Sequence, residues 1–142
     1  MNLGELNRLI ENREEMILWL LEKGLVGSIP ICPACGEYMN LRIRSSRQYM
    51  EYRCVKRSSN PHDKTKSLAK NSWFHNANIS MDRIMTITYM FAHNVKQYDH
   101  IIRESSVEGI TTSSNTVADW LGYCQEVCID WSLQHQLRRK LG

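Results

Sequence analysis

The chain has 142 residues, of which 42% are hydrophobic, so it can form one domain or two small modules, and extensive disorder is not expected. Its 18 Lys and Arg residues and 15 Asp and Glu residues give a formal net charge of +3. The longest apolar run, residues 16–21, is far shorter than the ~20 residues that cross a bilayer, and the pattern of the first residues leads us to expect no secretory signal. We therefore expect an intracellular protein with no membrane partner.

The sequence of the first 28 residues predicts a helical segment. Apolar side chains recur at helical spacing over residues 3–25. Asn12 followed by Glu15 has the form of a capping box, which predicts a break into two helices at residues 11–12. Gly24 is a natural helix end.

Short strands are predicted in the middle of the chain, where three prolines and a glycine divide the sequence. Residues 38–43 and 48–55 are typical of strands, with a loop at 44–47 between them. A second loop is predicted at residues 57–64. Residues 67–74 are the candidate for a third strand.

Three helices are predicted after residue 79. Ser80 is placed to cap a helix that ends near residue 93, and a short helix fits residues 97–104. The last helix begins at residues 113–115 and has an apolar stripe that we expect to be buried. The stripe consists of Val117, Trp120, Leu121, Cys124, Val127 or Cys128, and Trp131. Such helices fit a helix-turn-helix or a plain three-helix bundle.

Cysteine spacing indicates a metal site. The five cysteines are sparse and odd in number, which argues against a disulfide framework. Cys32 and Cys35 form a Cys-x-x-Cys turn followed by Gly36. Cys54 lies 19 positions after Cys35, a distance that a β-hairpin can bridge. His62 is the best fourth ligand in the sequence. We expect these four residues to hold a structural Zn²⁺ ion.

Several alternatives stay open at this stage. His75 is the main rival to His62, and an open site with a bound water is another option. A redox dithiol at Cys32 and Cys35 would need a βαβ pattern, which is missing. Cys124 and Cys128 are one helical turn apart on the apolar stripe, so we interpret them as small buried hydrophobes rather than ligands.

Positive charge is concentrated in one segment. Residues 42–70 contain nine basic and two acidic residues, a net charge of +7, whereas residues 79–142 have a net charge of −1. A basic segment within a mildly acidic chain indicates a polyanion partner. The alternative is a solvated hairpin whose cations serve solubility.

Six segments, taken in order, resemble the N-terminal region of Merlin-type DDE transposases, a group with an N-terminal zinc ribbon. They are Trp19–Leu25, Cys32–Gly36, Tyr52–Cys54, Lys66–Phe74, Asn115–Trp120 and Tyr123–Cys128. In that family the zinc ribbon leads through a Lys-Gly-Ser-Trp-Phe stretch into a helical DNA-binding region. The similarity covers nearly the whole chain.

Three departures from the family pattern stand out. His62 takes the place where the family often has a further Cys, which favours it as a ligand. Asn71 replaces a glycine, and the loop at residues 107–114 is longer than the family's tight turn. The family's catalytic domain, an RNase H-like fold, would begin where this chain ends, so Asp119 and Asp130 have no scaffold for Mg²⁺ and we expect no enzymatic activity or small-molecule substrate.

The resemblance implies a DNA-binding module of DNA transposition, nuclear in a eukaryote, that recognises transposon terminal inverted repeats in double-stranded DNA. It implies an α+β fold with an N-terminal helical segment (1–28), a zinc-ribbon hairpin (29–78) and a helix-turn-helix-like three-helix bundle (79–142). The expected phosphate contacts are Arg42, Arg44, Arg47, Lys56, Arg57, Lys64, Lys66 and Lys70. The expected major-groove contacts are Ser114, Asn115 and Thr116.

A second hypothesis is a zinc-stabilised protein-interaction module without DNA specificity. In that case the last helix pairs with a second copy of the chain, and a homodimer forms without DNA.

Overall fold

The computed structural model describes residues 1–43, 50–70, 72–75, 77, 79–107 and 109–141. Over these residues the protein is a mixed α+β structure with five helices and a three-stranded antiparallel sheet, as the sequence predicts. The chain divides into an N-terminal unit, Met1–Met81, and a C-terminal unit, Asp82–Gly142. The finer division of the N-terminal unit at residue 28 stays a prediction.

The two predicted N-terminal helices are confirmed. Helix α1 spans Leu3–Glu11 and α2 spans Arg13–Glu22. The Asn12 side chain between them accepts a hydrogen bond from the Glu15 backbone N–H at 3.3 Å, which caps α2 and fixes the break.

Helix α2 stops just before Gly24, as predicted. Gly24 has a φ of +70°, a conformation that an L residue rarely adopts. The backbone N–H of Gly24 donates to the Leu21 carbonyl and that of Leu25 donates to the Leu20 carbonyl. This pattern is a Schellman motif, and it satisfies carbonyls that the helix end would otherwise leave unpaired.

The sheet follows the helices and contains the strands β1 (Asn40–Ile43), β2 (Met50–Lys56) and β3 (His62–Ser67), in that spatial order. In the register, Cys54 pairs with Lys64, Tyr52 with Lys66 and Lys56 with His62, so these six residues share one face. We call it the metal face. Arg42 and Arg53 lie in the alternate register positions and project from the opposite face.

The prediction of the third strand was wrong. Residues 67–74 were expected to form it, but β3 lies earlier, within the predicted loop at 57–64 and just after it. Those of residues 68–75 that the structure describes form turns. The reason is that β3 is an edge strand with only one half-buried side chain, so it lacks the apolar alternation that marks a strand.

The C-terminal unit contains α3 (Met81–Ala92), α4 (Tyr98–Ser105) and α5 (Ser114–Leu141). Its core is apolar and consists of Ile84, Ile87, Met90, Ile101, Val117, Trp120 and Cys124. Ser80 precedes α3, but its buried hydroxyl has no hydrogen-bond partner among the described residues, so the predicted side-chain cap is not formed. Instead of a tight turn, residues 106–113 link α4 to α5.

A buried arginine fastens this linking segment to α3. The Arg83 guanidinium donates to the Ser105 carbonyl through Nε at 3.3 Å and to the Thr112 hydroxyl through Nη2 at 2.8 Å. The Thr112 hydroxyl donates in turn to the same Ser105 carbonyl at 3.1 Å. These bonds satisfy a charged group that would be costly to bury alone.

Only the first part of α5 is buried. The apolar stripe predicted to be core is covered at Val117, Trp120 and Cys124, but Cys128 is exposed and Trp131 is 60% exposed. The prediction was therefore wrong for the second half of the stripe, because helical periodicity shows which side chains share a face and not what covers them. None of the described helices is long and apolar enough to cross a membrane.

Replacing Thr112 with valine should destabilise the C-terminal unit by about 1–3 kcal/mol, because the buried Arg83 guanidinium loses one of its acceptors. Native-state hydrogen exchange of α4 and α5 amides measures this unit directly. Thr111→Val is the matched control, since Thr111 is exposed and its change should stay within about 0.5 kcal/mol. Equal effects of the two substitutions would contradict the role of Thr112.

Candidate metal centre

A tight hairpin presents the first two cysteines. The backbone N–H of Cys32 donates to the Glu37 carbonyl at 2.8 Å, and that of Gly36 donates to the Cys32 carbonyl at 2.9 Å. Gly36 has a φ of +75°, which this turn requires and which a side chain would strain. The turn therefore holds Cys32 and Cys35 on the same loop, three positions apart.

The sheet presents the other two ligands. Cys54 lies near the end of β2, and His62 is the first residue of β3. Both belong to the metal face, because His62 is paired with Lys56, two positions after Cys54. The register thus brings together residues that are eight positions apart in the sequence.

The four predicted ligands meet at one point. Their ligand atoms all lie within 4.8 Å of one another. The Cys35 and Cys54 sulfurs are 3.6 Å apart, and His62 Nε2 is 3.5 Å from the Cys32 sulfur and 3.4 Å from the Cys54 sulfur. Four ligands around a tetrahedral ion such as Zn²⁺ are separated by about 3.8 Å for two sulfurs and about 3.6 Å for sulfur and nitrogen. The residues present fit a tetrahedral metal ion.

These distances also exclude disulfides among the cluster. A disulfide bond is about 2.05 Å long, whereas the Cys35 and Cys54 sulfurs are 3.6 Å apart, and all five cysteines are free. The rival ligand His75 is exposed and lies outside the cluster.

Two hydrogen bonds orient the histidine and tie its loop to the hairpin. His62 Nδ1 donates to the Asn60 carbonyl at 2.7 Å, which leaves the Nε2 lone pair facing the cysteines. The Asn60 side-chain amide donates to the Ala34 carbonyl at 3.1 Å. Asn60 was not predicted from the sequence. Its position two residues before a candidate ligand is the only signal that could have suggested it.

The thiols differ in acidity. Burial raises the pKa of Cys32, but backbone hydrogen bonds from Ala34 and Cys35 and contacts with the other thiols outweigh it, and the pKa falls to about 7. Burial is the main reason that the pKa of Cys54 rises to about 11, and its contacts with Cys35 and Cys32 add to the rise. A bound cation would remove this difference in acidity, because it would hold all three sulfurs as thiolates.

Ion pairs frame the cluster. Lys56 on β2 contacts Glu37 on the hairpin at 2.6 Å, and this contact lowers the pKa of Glu37. On the opposite face Arg53 Nε donates to Asp63 at 2.9 Å, and the pKa of Asp63 is lowered by this bond. The side chains of both pairs are partly exposed to solvent, so each pair adds little to the stability of the fold.

The remaining predicted site residues are spread over the protein. Four of the predicted cations are exposed on β3 or close to it in the sequence, namely Arg57, Lys64, Lys66 and Lys70. Arg42 projects from the face of the sheet opposite the metal face. Arg44 and Arg47 lie outside the described residues. At the start of α5, Ser114 and Asn115 are exposed, while the Thr116 hydroxyl is 2.9 Å from that of Ser113.

Comparison with protein-family models, with curated proteins and with solved structures finds no match for this sequence. The assignment of the site therefore depends on its own geometry and chemistry.

The cluster should bind one divalent ion per chain, and replacing His62 with alanine should weaken binding by more than the 10- to 100-fold typical of losing a group that only hydrogen-bonds to a ligand. His75→Ala is the matched control and should not change the affinity, because His75 lies outside the cluster. Competition with a chromophoric chelator measures both. A stronger effect of His75 would show that the wrong histidine has been assigned.

Metal affinity should fall as the pH falls, because protons compete with the metal for the thiolates. Since the pKa of Cys32 is about 7, binding below that pH has to displace one additional proton, and the affinity should decline more steeply there than above it. Chelator competition over a pH series tests this expectation. An affinity that does not change with pH would show that thiolates do not bind the ion.

Proposed function

We propose that the protein is a zinc-stabilised module that binds double-stranded DNA through the exposed lysines of its edge strand, β3. The observation behind this proposal is that one strand, β3, contains both a metal ligand, His62, and two exposed cations, Lys64 and Lys66. Fixing the histidine fixes the strand, and the strand positions the cations.

Zinc is the ion that this donor set favours. Three thiolates and one imidazole are typical of structural Zn²⁺ sites, and soft sulfur ligands disfavour Mg²⁺ and Ca²⁺. With four protein ligands the coordination shell is complete, so no position is left for a substrate. The proposed role of the ion is therefore structural.

The edge strand needs this support. Apart from half-buried His62, every side chain of β3 is exposed, so the strand is held by its hydrogen bonds to β2 and by the cluster. Little apolar burial stabilises it. A metal that joins His62 to Cys54 and to the Cys32 hairpin replaces the missing core.

Two cations of the metal face are available to an anionic ligand. Lys56 is paired with Glu37, whereas Lys64 and Lys66 form no ion pair within the described part of the chain. Lys64 and Lys66 are two positions apart on the same face, about 6.6 Å along the strand, a spacing close to that of successive phosphates. We restrict the proposed phosphate contacts of the sheet to this face, since Arg42 projects from the other one.

The resemblance to Merlin-type transposases supports DNA as the polyanion and terminal inverted repeats as the target. Ser114 and Asn115 are exposed at the N-terminal end of α5, where an amide side chain can pair with adenine in the major groove. We propose these two residues as the base-reading contacts and Lys64 and Lys66 as the backbone contacts. Phosphate contacts position a protein on DNA, and base contacts give it sequence preference.

Replacing Lys64 and Lys66 together with glutamine should weaken binding to any duplex and make the slope of log affinity against log salt shallower by about 1.8, because about 0.9 is lost per phosphate contact. Lys23→Gln with Lys96→Gln is the charge-matched control, since both residues are exposed and lie outside the sheet. Fluorescence anisotropy at several salt concentrations measures the slopes.

A slope that both double variants change equally would show that only total charge matters and would overturn the assigned surface. Chelation supplies an independent arm of the experiment. If the ion fixes β3, its removal should lower the affinity of the wild-type protein at least as much as the loss of both lysines does, and restored zinc should recover it.

A further inference from the structure

The second half of α5 is an apolar surface without a partner in the chain. Burial along this helix ends at Cys124, and every residue from 125 to 141 is exposed. From residue 123 onward the helix nevertheless exposes large apolar side chains, which soluble proteins seldom leave in a continuous patch. They are Tyr123, Val127, Ile129, Trp131, Leu133, Leu137 and Leu141.

Part of this surface has a regular spacing along the helix. Trp120, Val127 and Leu141 fall on one seven-residue repeat, and Tyr123 and Leu137 fall on a second repeat displaced from it by three. This is the apolar spacing of a coiled coil. Trp120 is buried in the core of the C-terminal unit, whereas Val117 and Cys124, the other buried residues of α5, lie beside this seam.

Charge is distributed unequally along α5. The helix has three acidic residues before residue 131, namely Asp119, Glu126 and Asp130, and no basic residue before Arg138. Its last turn contains Arg138, Arg139 and Lys140. Two such helices attract each other when they run in opposite directions, whereas parallel pairing places like charges side by side.

We propose that the exposed half of α5 binds a second copy of this chain as an antiparallel helical pair, centred near residue 132. This inference goes beyond the proposed function and depends on neither metal nor DNA. In this register Val127 lies opposite Leu137 of the second copy, and Tyr123 lies opposite Leu141 of the second copy. Trp131 and Leu133 lie next to their own counterparts at the centre.

The polar residues fit the same register. Glu126 lies opposite Lys140 of the second copy, so each pair of helices forms two such ion pairs. Asp130 lies opposite Gln134 of the second copy, and the amide can donate to the carboxylate. A polar layer of this kind costs stability but fixes alignment in coiled coils. Ile129 falls outside the seam.

The overlap also fits the exposed length. From Tyr123 to Leu141 the helix is about 27 Å long, and in the proposed register this whole segment is paired. Of the buried residues of α5, Val117 and Trp120 lie outside the overlap, and Cys124 lies at its edge, beside the seam.

Sedimentation equilibrium of the metal-loaded chain should show a reversible dimer. Leu137→Glu should weaken dimerisation at least a hundredfold, because it places a charge in the seam. Ile129→Glu is the matched control: Ile129 and Leu137 are 58% and 59% exposed on the same helix, but only Leu137 lies in the seam. Both changes lie outside the buried part of α5, and circular dichroism should show that folding is intact.

Charge reversal tests the direction of pairing. Glu126→Lys alone should weaken the dimer about tenfold, since two ion pairs become two repulsive ones. Adding Lys140→Glu should restore the affinity, because the two reversed residues face each other only in the antiparallel register. A monomeric wild type, an equal effect of Ile129→Glu and Leu137→Glu, or no restoration in the double variant would each overturn the proposal.

Discussion

The N-terminal unit depends on one interaction, the meeting of three cysteine sulfurs and one imidazole nitrogen at a single point. A hairpin closed by backbone hydrogen bonds presents Cys32 and Cys35, and two strands present Cys54 and His62. Apolar burial stabilises the helices before the sheet, but β3 exposes almost all of its side chains. An ion that joins these ligands does for the sheet what a hydrophobic core does for a larger domain.

Local chemistry was predictable from the sequence. Asn12 and Gly24 act on the backbone within a few residues of themselves, so the ends of α2 could be placed without knowledge of the fold. The same is true of the four residues that cluster, because thiols and imidazoles have few roles that need this spacing. What spacing alone could not decide was the choice between His62 and His75. The pairing of β2 with β3 places His62, the first residue of β3, in the cluster, whereas His75 lies outside it.

Features that depend on distant surroundings were not predictable in the same way. Strand β3 has polar residues on both faces, so nothing in its sequence separates it from a loop; its pairing with β2 defines it. The apolar stripe of α5 was predicted, but its burial was wrong for Cys128 and Trp131. The role of Asn60 in orienting His62 was also missed, because it acts through a backbone carbonyl that any residue possesses. Sequence patterns describe a residue's neighbours along the chain better than they describe its neighbours in space.

The position of β3 at the edge of the sheet has a consequence for solubility. An edge strand offers unpaired backbone groups to other chains, and lysines on such a strand discourage that pairing. Lys64 and Lys66 therefore protect the molecule against self-association at the same place where they are proposed to meet phosphate. Neutralising them would remove this barrier to edge-to-edge pairing of strands between molecules.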